Sequence, residues 1–330
     1  MTQSEFLQDL DAFLQEWQND EPTVWVQTSG STGTPKPMQV EKMRMEASAR
    51  LTCSFLGLKE GDSALLCMPL QYIAGKMVVV RSLVAGLNLI PVTPSGHPLK
   101  DMKEAPTFAA MIPMQVYNTL QVPEERAKLM EIKHLIIGGG AIDDSLANEL
   151  KSFPNQVWST YGMTETLSHI ALRRLNGTDA SDWYTPFDNV RIRLSEEGTL
   201  IIHAPNVCAE ELTTNDIAEI NEEGKFRILG RKDNTINSGG VKIQIEQVES
   251  RLKKHINTPF LISARKDAKF GEIVVLIYNK VGNEENIRRI CESELPTYWV
   301  PKAYIAVDEL PMTGTGKPDR ASARRIANGK

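Results

Sequence analysis

The sequence predicts an α/β protein: a large N-terminal α/β domain with a mainly parallel sheet and a β-rich subdomain, then a small α+β C-terminal domain. Three observations predict it. Between about residues 43 and 205, short β-rich runs alternate with helical patterns. Across residues 189–229 the strand-like runs NVRIRL, GTLIIHA and GKFRILG follow one another closely. Near Gly230 a polar, glycine-rich segment, GRKDNTINSGGVK, separates these from a last stretch of about a hundred residues, the size of a minor domain.

The elements can be justified in chain order. Phe6, Leu7, Leu10, Phe13, Leu14 and Trp17 recur at helical spacing and predict an amphipathic first helix. SALLCMP, LNLIPV, TFAAMI, HLIIGG and QVWSTYG are short apolar runs rich in β-formers, which predicts buried strands. EKMRMEASARLTCSFL, GKMVVVRSLVAG and DDSLANELKSF are the helices between them. After the glycine-rich segment come a helix (EQVESRLKKHI), two strands (PFLISARK, EIVVLIY), a helix (EENIRRICESEL) and a strand (AYIAVDE). The boundary falls at residues 231–233, giving domains 1–230 and 234–330.

With 330 residues the chain can bury two cores. Its net charge of −5 has both signs interspersed, which argues against a nucleic-acid binder needing a basic face. Cys53, Cys67, Cys208 and Cys291 are scattered, without zinc spacing, and predict reduced thiols. The N-terminus lacks a basic start and a continuous apolar run, so no signal peptide is expected. The most apolar stretch, MVVVRSLVAGLNLIPV, is interrupted by Arg81 and Gly86 and is too short for a bilayer. A cytoplasmic protein with no membrane span is the expectation.

Five motifs carry chemistry. Thr28, Ser29, Gly30, Ser31, Thr32, Gly33, Thr34, Pro35 and Lys36 pack hydroxyls, glycines and a lysine together, as a phosphate-binding loop needs. Pro35 before Lys36 rules out a Walker loop, and a plain Ser/Thr/Gly loop stays open. Tyr161-Gly162-Met163-Thr164-Glu165 follows a strand end, where α/β sheets bind ligands; Tyr161 could stack on a base and Glu165 could hold magnesium. A turn capping a helix is the competing reading. Gly138, Gly139 and Gly140 at another strand end permit close approach to a flat ring, or form an ordinary tight turn. Asp216 and Gly230-Arg231-Lys232-Asp233 offer groups for ribose hydroxyls, or a surface salt bridge. Pro311 to Pro318 places Lys317 on a glycine-rich loop near the C-terminus, where a solvated lysine is equally compatible.

In this order and spacing, TSGSTGTPK, YGMTE, GRKDNTINSGGVKIQIEQVE and PMTGTGKPDR resemble the adenylate-forming superfamily of acyl- and aryl-CoA ligases, luciferases and peptide-synthetase adenylation domains. The resemblance runs from about Thr28 to Arg320. It implies that an acid is activated with ATP and Mg²⁺ and then passed to CoA. It implies that the loop Thr28–Lys36 binds the β- and γ-phosphates, that Gly138–Gly140 and Tyr161 frame adenine, and that Asp216 and Arg231 hold the ribose. Thr164 would contact the α-phosphate, Glu165 would carry the metal, and Lys317 would bridge the acid and the α-phosphate as charge builds there. The small domain would be mobile, turning at Asp233 and presenting Gly239 and Gly240 to the thiol.

Within that superfamily, MPLQYIAGKMVVVRSLVAG resembles the o-succinylbenzoate–CoA ligases of menaquinone synthesis, with Tyr72, Gly75 and Arg81 as acid-pocket residues. Arg81 lies among valines, so its burial calls for an anion, which a second substrate carboxylate would supply. Other aryl- or acyl-CoA ligases, and enzymes that load carrier proteins, share the general motif set. Two positions depart from the pattern: Tyr72 stands where these ligases usually have histidine, and Asn215 replaces a glycine before Asp216. The superfamily also usually carries a subdomain before the phosphate loop, which here begins at Thr28. The implied partners are a small carboxylic acid, ATP and CoA, with a homodimer as the candidate assembly.

Overall fold

The computed structural model describes residues 1–27, 37–140, 142, 144–312 and 318–329. They form two compact units. One comprises Met1–Arg193, Ile201–Leu212 and Ile220–Phe226; the other comprises Leu194–Leu200, Thr213–Glu219 and Arg227–Lys330. The units are interleaved in sequence where the expected domains, 1–230 and 234–330, are consecutive.

The first unit opens with α1 (Gln3–Gln18), started by a reciprocal capping box between Thr2 and Glu5. The antiparallel pair β1 (Thr23–Gln27) and β2 (Pro37–Glu41) follows, then α2 (Lys42–Leu56), β3 (Ser63–Leu66), α3 (Ile73–Ala85) and β4 (Asn88–Pro91). Next come β5 (Phe108–Met111), α4 (Pro113–Leu120), α5 (Pro123–Glu131), β6 (His134–Ile137), α6 (Asp144–Leu150), β7 (Gln156–Gly162), β8 (His169–Arg174) and β9 (Thr185–Pro186). The main sheet has seven strands in the order β4-β3-β5-β6-β7-β8-β9. Pairing from β4 through β7 is parallel, and β8 and β9 add antiparallel strands at one edge. Every residue of β5 and β6 is buried, as parallel strands covered on both faces require. The mainly parallel α/β sheet expected from the sequence is thus present.

The β-rich region consists of β10 (Arg191–Leu194), β11 (Thr199–His203), β12 (Leu212–Ile220) and β13 (Phe226–Arg231), hydrogen-bonded in that order. The partition between units runs through these strands. β12 is an addition to the three runs expected there.

The second unit continues from β13 through a 3₁₀ turn (Lys232–Asn234) into β14 (Thr235–Ser238), β15 (Val241–Gln244), α7 (Ile245–Lys253), β16 (Phe260–Asp267) and β17 (Gly271–Asn279). It ends with α8 (Glu284–Glu294), β18 (Ala303–Val307) and α9 (Arg320–Ala327). β17 pairs with β16 and β18, and its apolar run IVVLIY is packed on both faces. Its Val274, Leu276 and Tyr278 join one core cluster with Val248, Leu252 and Ile287. The alternate residues Ile273, Val275 and Ile277 join a second with Ala323 and Ala327 of α9. The glycine-rich segment is mostly ordered secondary structure, a β14–β15 hairpin rather than a linker. No described helix is long and apolar enough to cross a membrane. All four cysteines are free thiols. Burial pushes Cys67 up to about 12 and Cys291 up to about 11, so neither is a nucleophile at neutral pH.

Candidate active site

In the first unit the predicted ligand residues gather at the ends of adjacent strands. Gly138–Gly140 follow β6, and Tyr161 lies near the end of β7, which pairs with β6. Gly138 is required by proximity: a Cβ there would lie 2.4 Å from Thr160 Oγ1. Gly139 has φ +78°, the left-handed region that glycine adopts without strain. The Tyr161 ring is half-buried and meets Phe226 edge-on at 5.0 Å, with Tyr184 at 5.8 Å. These aromatic contacts restrict its ring beside the glycine turn.

The segment after Tyr161 is a tight connection to the antiparallel β8, and no helix follows it, so the helix-cap reading of Thr164 and Glu165 does not hold. The Met163 N–H donates to Thr166 Oγ1, whose own hydroxyl lies 2.7 Å from the Ser168 carbonyl. The backbone turns at Leu167, φ +63°, and the Leu167 N–H donates to the Thr164 carbonyl. A Cβ on Gly162 would fall 2.3 Å from the Ser168 carbonyl oxygen, so only glycine lets β8 return this closely. Thr164 is buried and Glu165 exposed. A single exposed carboxylate suits magnesium, which keeps phosphate oxygens and water as most of its ligands.

Arg81 is on α3 and only 2% exposed, so it does not reach the surface. Its Nη2 donates to Ser168 Oγ at 2.6 Å, while Nε has no acceptor among the described residues. No described carboxylate forms an ion pair with it. Burial pulls its pKa down to about 10, still charged at neutral pH. Gly75 lets the start of α3 sit against the chain before it, since a Cβ would lie 2.5 Å from the Pro69 carbonyl oxygen. Tyr72 precedes the helix, and its backbone bridges to Gln27.

In the second unit Arg231 donates to Asp216 at 3.4 Å and to Asp233 at 3.2 Å, joining three of the predicted residues. Gly239 and Gly240 form the two-residue turn of the β14–β15 hairpin, with φ +58° and +84°. Both positive values fit a type I′ turn, which glycine adopts readily. The phosphate-loop residues Thr28–Lys36 and the lysine Lys317 lie outside the described residues.

Sequence reasoning missed Thr52, Ser168 and His169. His169 is buried, with Nδ1 3.2 Å from Ser168 Oγ and Nε2 3.0 Å from Thr52 Oγ1. The available signal was the polar pair Ser-His, two residues after YGMTE and directly before the apolar run IAL.

Residues 3–208 match the family model described as AMP-binding enzyme, and residues 261–317 match that of the AMP-binding enzyme C-terminal domain. The chain belongs to the AMP-binding enzyme family. A 2-succinylbenzoate–CoA ligase of Bacillus mycoides (strain KBAB4) is 27% identical over 352 residues, covering 96% of this chain and 73% of the relative. The solved structure of an acyl-CoA synthetase (AMP-forming)/AMP-acid ligase II-like protein from Dyadobacter fermentans is 32% identical, with a TM-score of 0.67, and covers 96% of this chain and 93% of that one. The o-succinylbenzoate coenzyme A synthetase from Bacillus subtilis, solved in complex with ATP and magnesium ion, shares the fold at 23% identity and a TM-score of 0.74, covering 90% of this chain and 68% of that chain.

Proposed function

We propose that this chain is an AMP-forming acid–thiol ligase that converts o-succinylbenzoate, ATP and CoA to the CoA thioester, AMP and pyrophosphate. The observation that carries the choice of acid is Arg81, a buried guanidinium with neither an acceptor for its Nε nor a carboxylate partner among the described residues. Leaving a charge buried and unpaired is costly, and a substrate bearing a second carboxylate relieves that cost. The curated relatives named as 2-succinylbenzoate–CoA ligases support the same acid.

The roles follow the family resemblance. Thr28, Ser29, Gly30, Ser31, Thr32, Gly33 and Lys36 take the β- and γ-phosphates of ATP. Gly138, Gly139, Gly140 and Tyr161 frame the adenine, and Asp216 and Arg231 take the ribose. Thr164 donates to the α-phosphate, and Glu165 holds the Mg²⁺ that travels with ATP. Lys317 neutralises the charge that develops as the carboxylate attacks phosphorus. Tyr72, Gly75 and Arg81 belong to the acid pocket. The C-terminal domain, residues 234–330, turns at a hinge, residues 231–233, about Asp233 and offers Gly239 and Gly240 to the CoA thiol. A cytoplasmic location and a homodimer complete the proposal.

The experiment is CoA-dependent AMP release across a panel of acids. Turnover of o-succinylbenzoate at a kcat/KM at least tenfold above benzoate and aliphatic acids is expected. Turnover of benzoate with none of o-succinylbenzoate would replace this acid by another within the same chemistry.

A further inference from the structure

The hydroxyls and ring nitrogens behind Arg81 form a hydrogen-bonded chain that one set of proton directions satisfies throughout. Thr52 Oγ1 lies 3.2 Å from the Ser48 carbonyl one turn back on α2, and a carbonyl can only accept, so the single Thr52 proton is spent there. In that arrangement Thr52 Oγ1 accepts from His169 Nε2 at 3.0 Å. Burial, and next the charge of Arg81, hold the His169 pKa well below its usual value, so the ring is neutral. With the proton on Nε2, Nδ1 is bare and accepts from the Ser168 hydroxyl at 3.2 Å. Ser168 Oγ is then left with lone pairs facing Arg81 Nη2 at 2.6 Å. The His169 ring is held edge-on against Phe187 at 5.4 Å, and a Cβ on Gly162 would lie 2.4 Å from the His169 Cα, so ring and backbone are both held in place.

We infer that His169 is a positioning residue for the acid site: as the Nε2–H tautomer it turns the Ser168 hydroxyl so that oxygen, not hydrogen, meets Arg81. The guanidinium is thereby held by a neutral acceptor on Nη2, and its buried Nε is left without a protein acceptor among the described residues. In the other tautomer Nδ1–H would compete with Arg81 for the Ser168 lone pairs, and the Ser168 proton would have no acceptor on the ring. His169 thus contributes to selectivity for acids carrying a second carboxylate, an inference that rests on the function proposed above.

The test has two parts. In steady-state kinetics, His169→Leu is expected to raise the KM for o-succinylbenzoate about tenfold or more, leaving the KM for ATP and the kcat within about twofold. His169→Asn, whose amide oxygen can accept from Ser168, is expected to restore most of that loss. Equal effects on ATP and acid, or an Asn variant as poor as Leu, would reduce His169 to a packing residue. In the second part, the free wild-type enzyme labelled with ¹⁵N-histidine is examined by NMR, with His169→Asn used to assign the signal. A proton on Nε2 and none on Nδ1 is expected, and the opposite tautomer would overturn the inference. That readout needs no substrate, so it stands apart from the choice of acid: a wild-type enzyme that ignores o-succinylbenzoate while showing the expected tautomer would defeat the proposed function and leave the orientation of Ser168 intact.

Discussion

Arg320 and Glu249 form a two-point ion pair, with Nη1 2.7 Å from Oε1 and Nη2 2.8 Å from Oε2. Glu249 is on α7 and buried; Arg320 opens α9. The Ile262 N–H also donates to Glu249, and Arg320 donates to the Ile262 carbonyl, so the pair fastens both helices to β16. Two planar groups matched in this way lose less side-chain freedom than a lysine pair would.

Removing one partner strands the other. Glu249→Gln is expected to destabilise the full chain by about 2–4 kcal/mol, toward the lower part of the range for buried pairs because Arg320 keeps one-quarter of its side chain exposed. Arg320→Lys, which retains charge but not the fork, is expected to lose less. Urea unfolding followed by circular dichroism checks both, and a shift below about 0.5 kcal/mol for Glu249→Gln would mean that solvent replaces the lost partner.

In the chain, Arg320 follows three residues after Lys317. Met312 and Pro318 are bridged in antiparallel fashion, and the Asp319 N–H donates to the Pro311 carbonyl, so the chain leaves and re-enters at one place. Lys317→Ala is expected to reduce acid-dependent ATP–pyrophosphate exchange by at least a hundredfold. Thioester formation from supplied acyl-adenylate should stay within about threefold of the wild type. Comparable loss of both half-reactions would contradict a role confined to the first.

Glu246 supplies a pH-dependent prediction. Burial raises its pKa above the ordinary carboxylate value, outweighing the hydrogen bond from Asn234. Among the described residues its Oε2 has no partner, nor has Gln244 Oε1, and both approach the same side of Gly230, where a Cβ would lie 2.5 and 2.8 Å from them. A proton on Glu246 would give it a donor for that shared space. For an acid whose folded pKa is raised, the folded state binds the proton more tightly than the unfolded chain. The resulting stabilisation is complete below the unfolded value, roughly pH 4, and is lost as pH rises through the folded one. Glu246→Gln, permanently uncharged, is expected to have a higher Tm than the wild type at pH 8. The difference should shrink steadily toward pH 4. Parallel Tm profiles would show that Glu246 keeps its charge without cost.

Much of the fold could be read in advance because burial leaves a periodic trace. The apolar runs FAAM and HLII read as buried strands of a mainly parallel sheet, and they form the fully buried β5 and β6. The hairpin at Thr235–Gln244 was hidden because its strands are short and polar, and its Gly239-Gly240 turn reads equally well as a linker. β8 was hidden by the reversal at Leu167, which no glycine marks. Among site residues, Arg81 was legible because an arginine among valines contradicts its surroundings. His169 was not, since nothing in the local pattern tells that Thr52, 117 positions earlier, would meet its ring.

Arg81 itself separates stability from function. The free protein holds a charged group at 2% exposure, with Ser168 Oγ as a neutral acceptor and an Nε that finds none among the described residues. Arg81→Met keeps the aliphatic length and removes the uncompensated charge, a change that is often neutral or stabilising by ~1–4 kcal/mol when an ionic group is replaced by a packed apolar one. The same substitution removes the proposed anchor for the second carboxylate, which typically costs ~2–5 kcal/mol of binding, or roughly thirtyfold or more in affinity. The expected outcome is therefore opposite in sign on two measurements: a Tm equal to or above the wild type, and a KM for o-succinylbenzoate raised at least thirtyfold with the KM for ATP nearly unchanged. A residue kept for packing would show the reverse, with Arg81→Met lowering the Tm and sparing the acid. With a saturating non-hydrolysable ATP analogue already present, adding o-succinylbenzoate should raise the Tm of the wild type further and leave that of the variant in place, because only a protein that binds the acid gains stability from it.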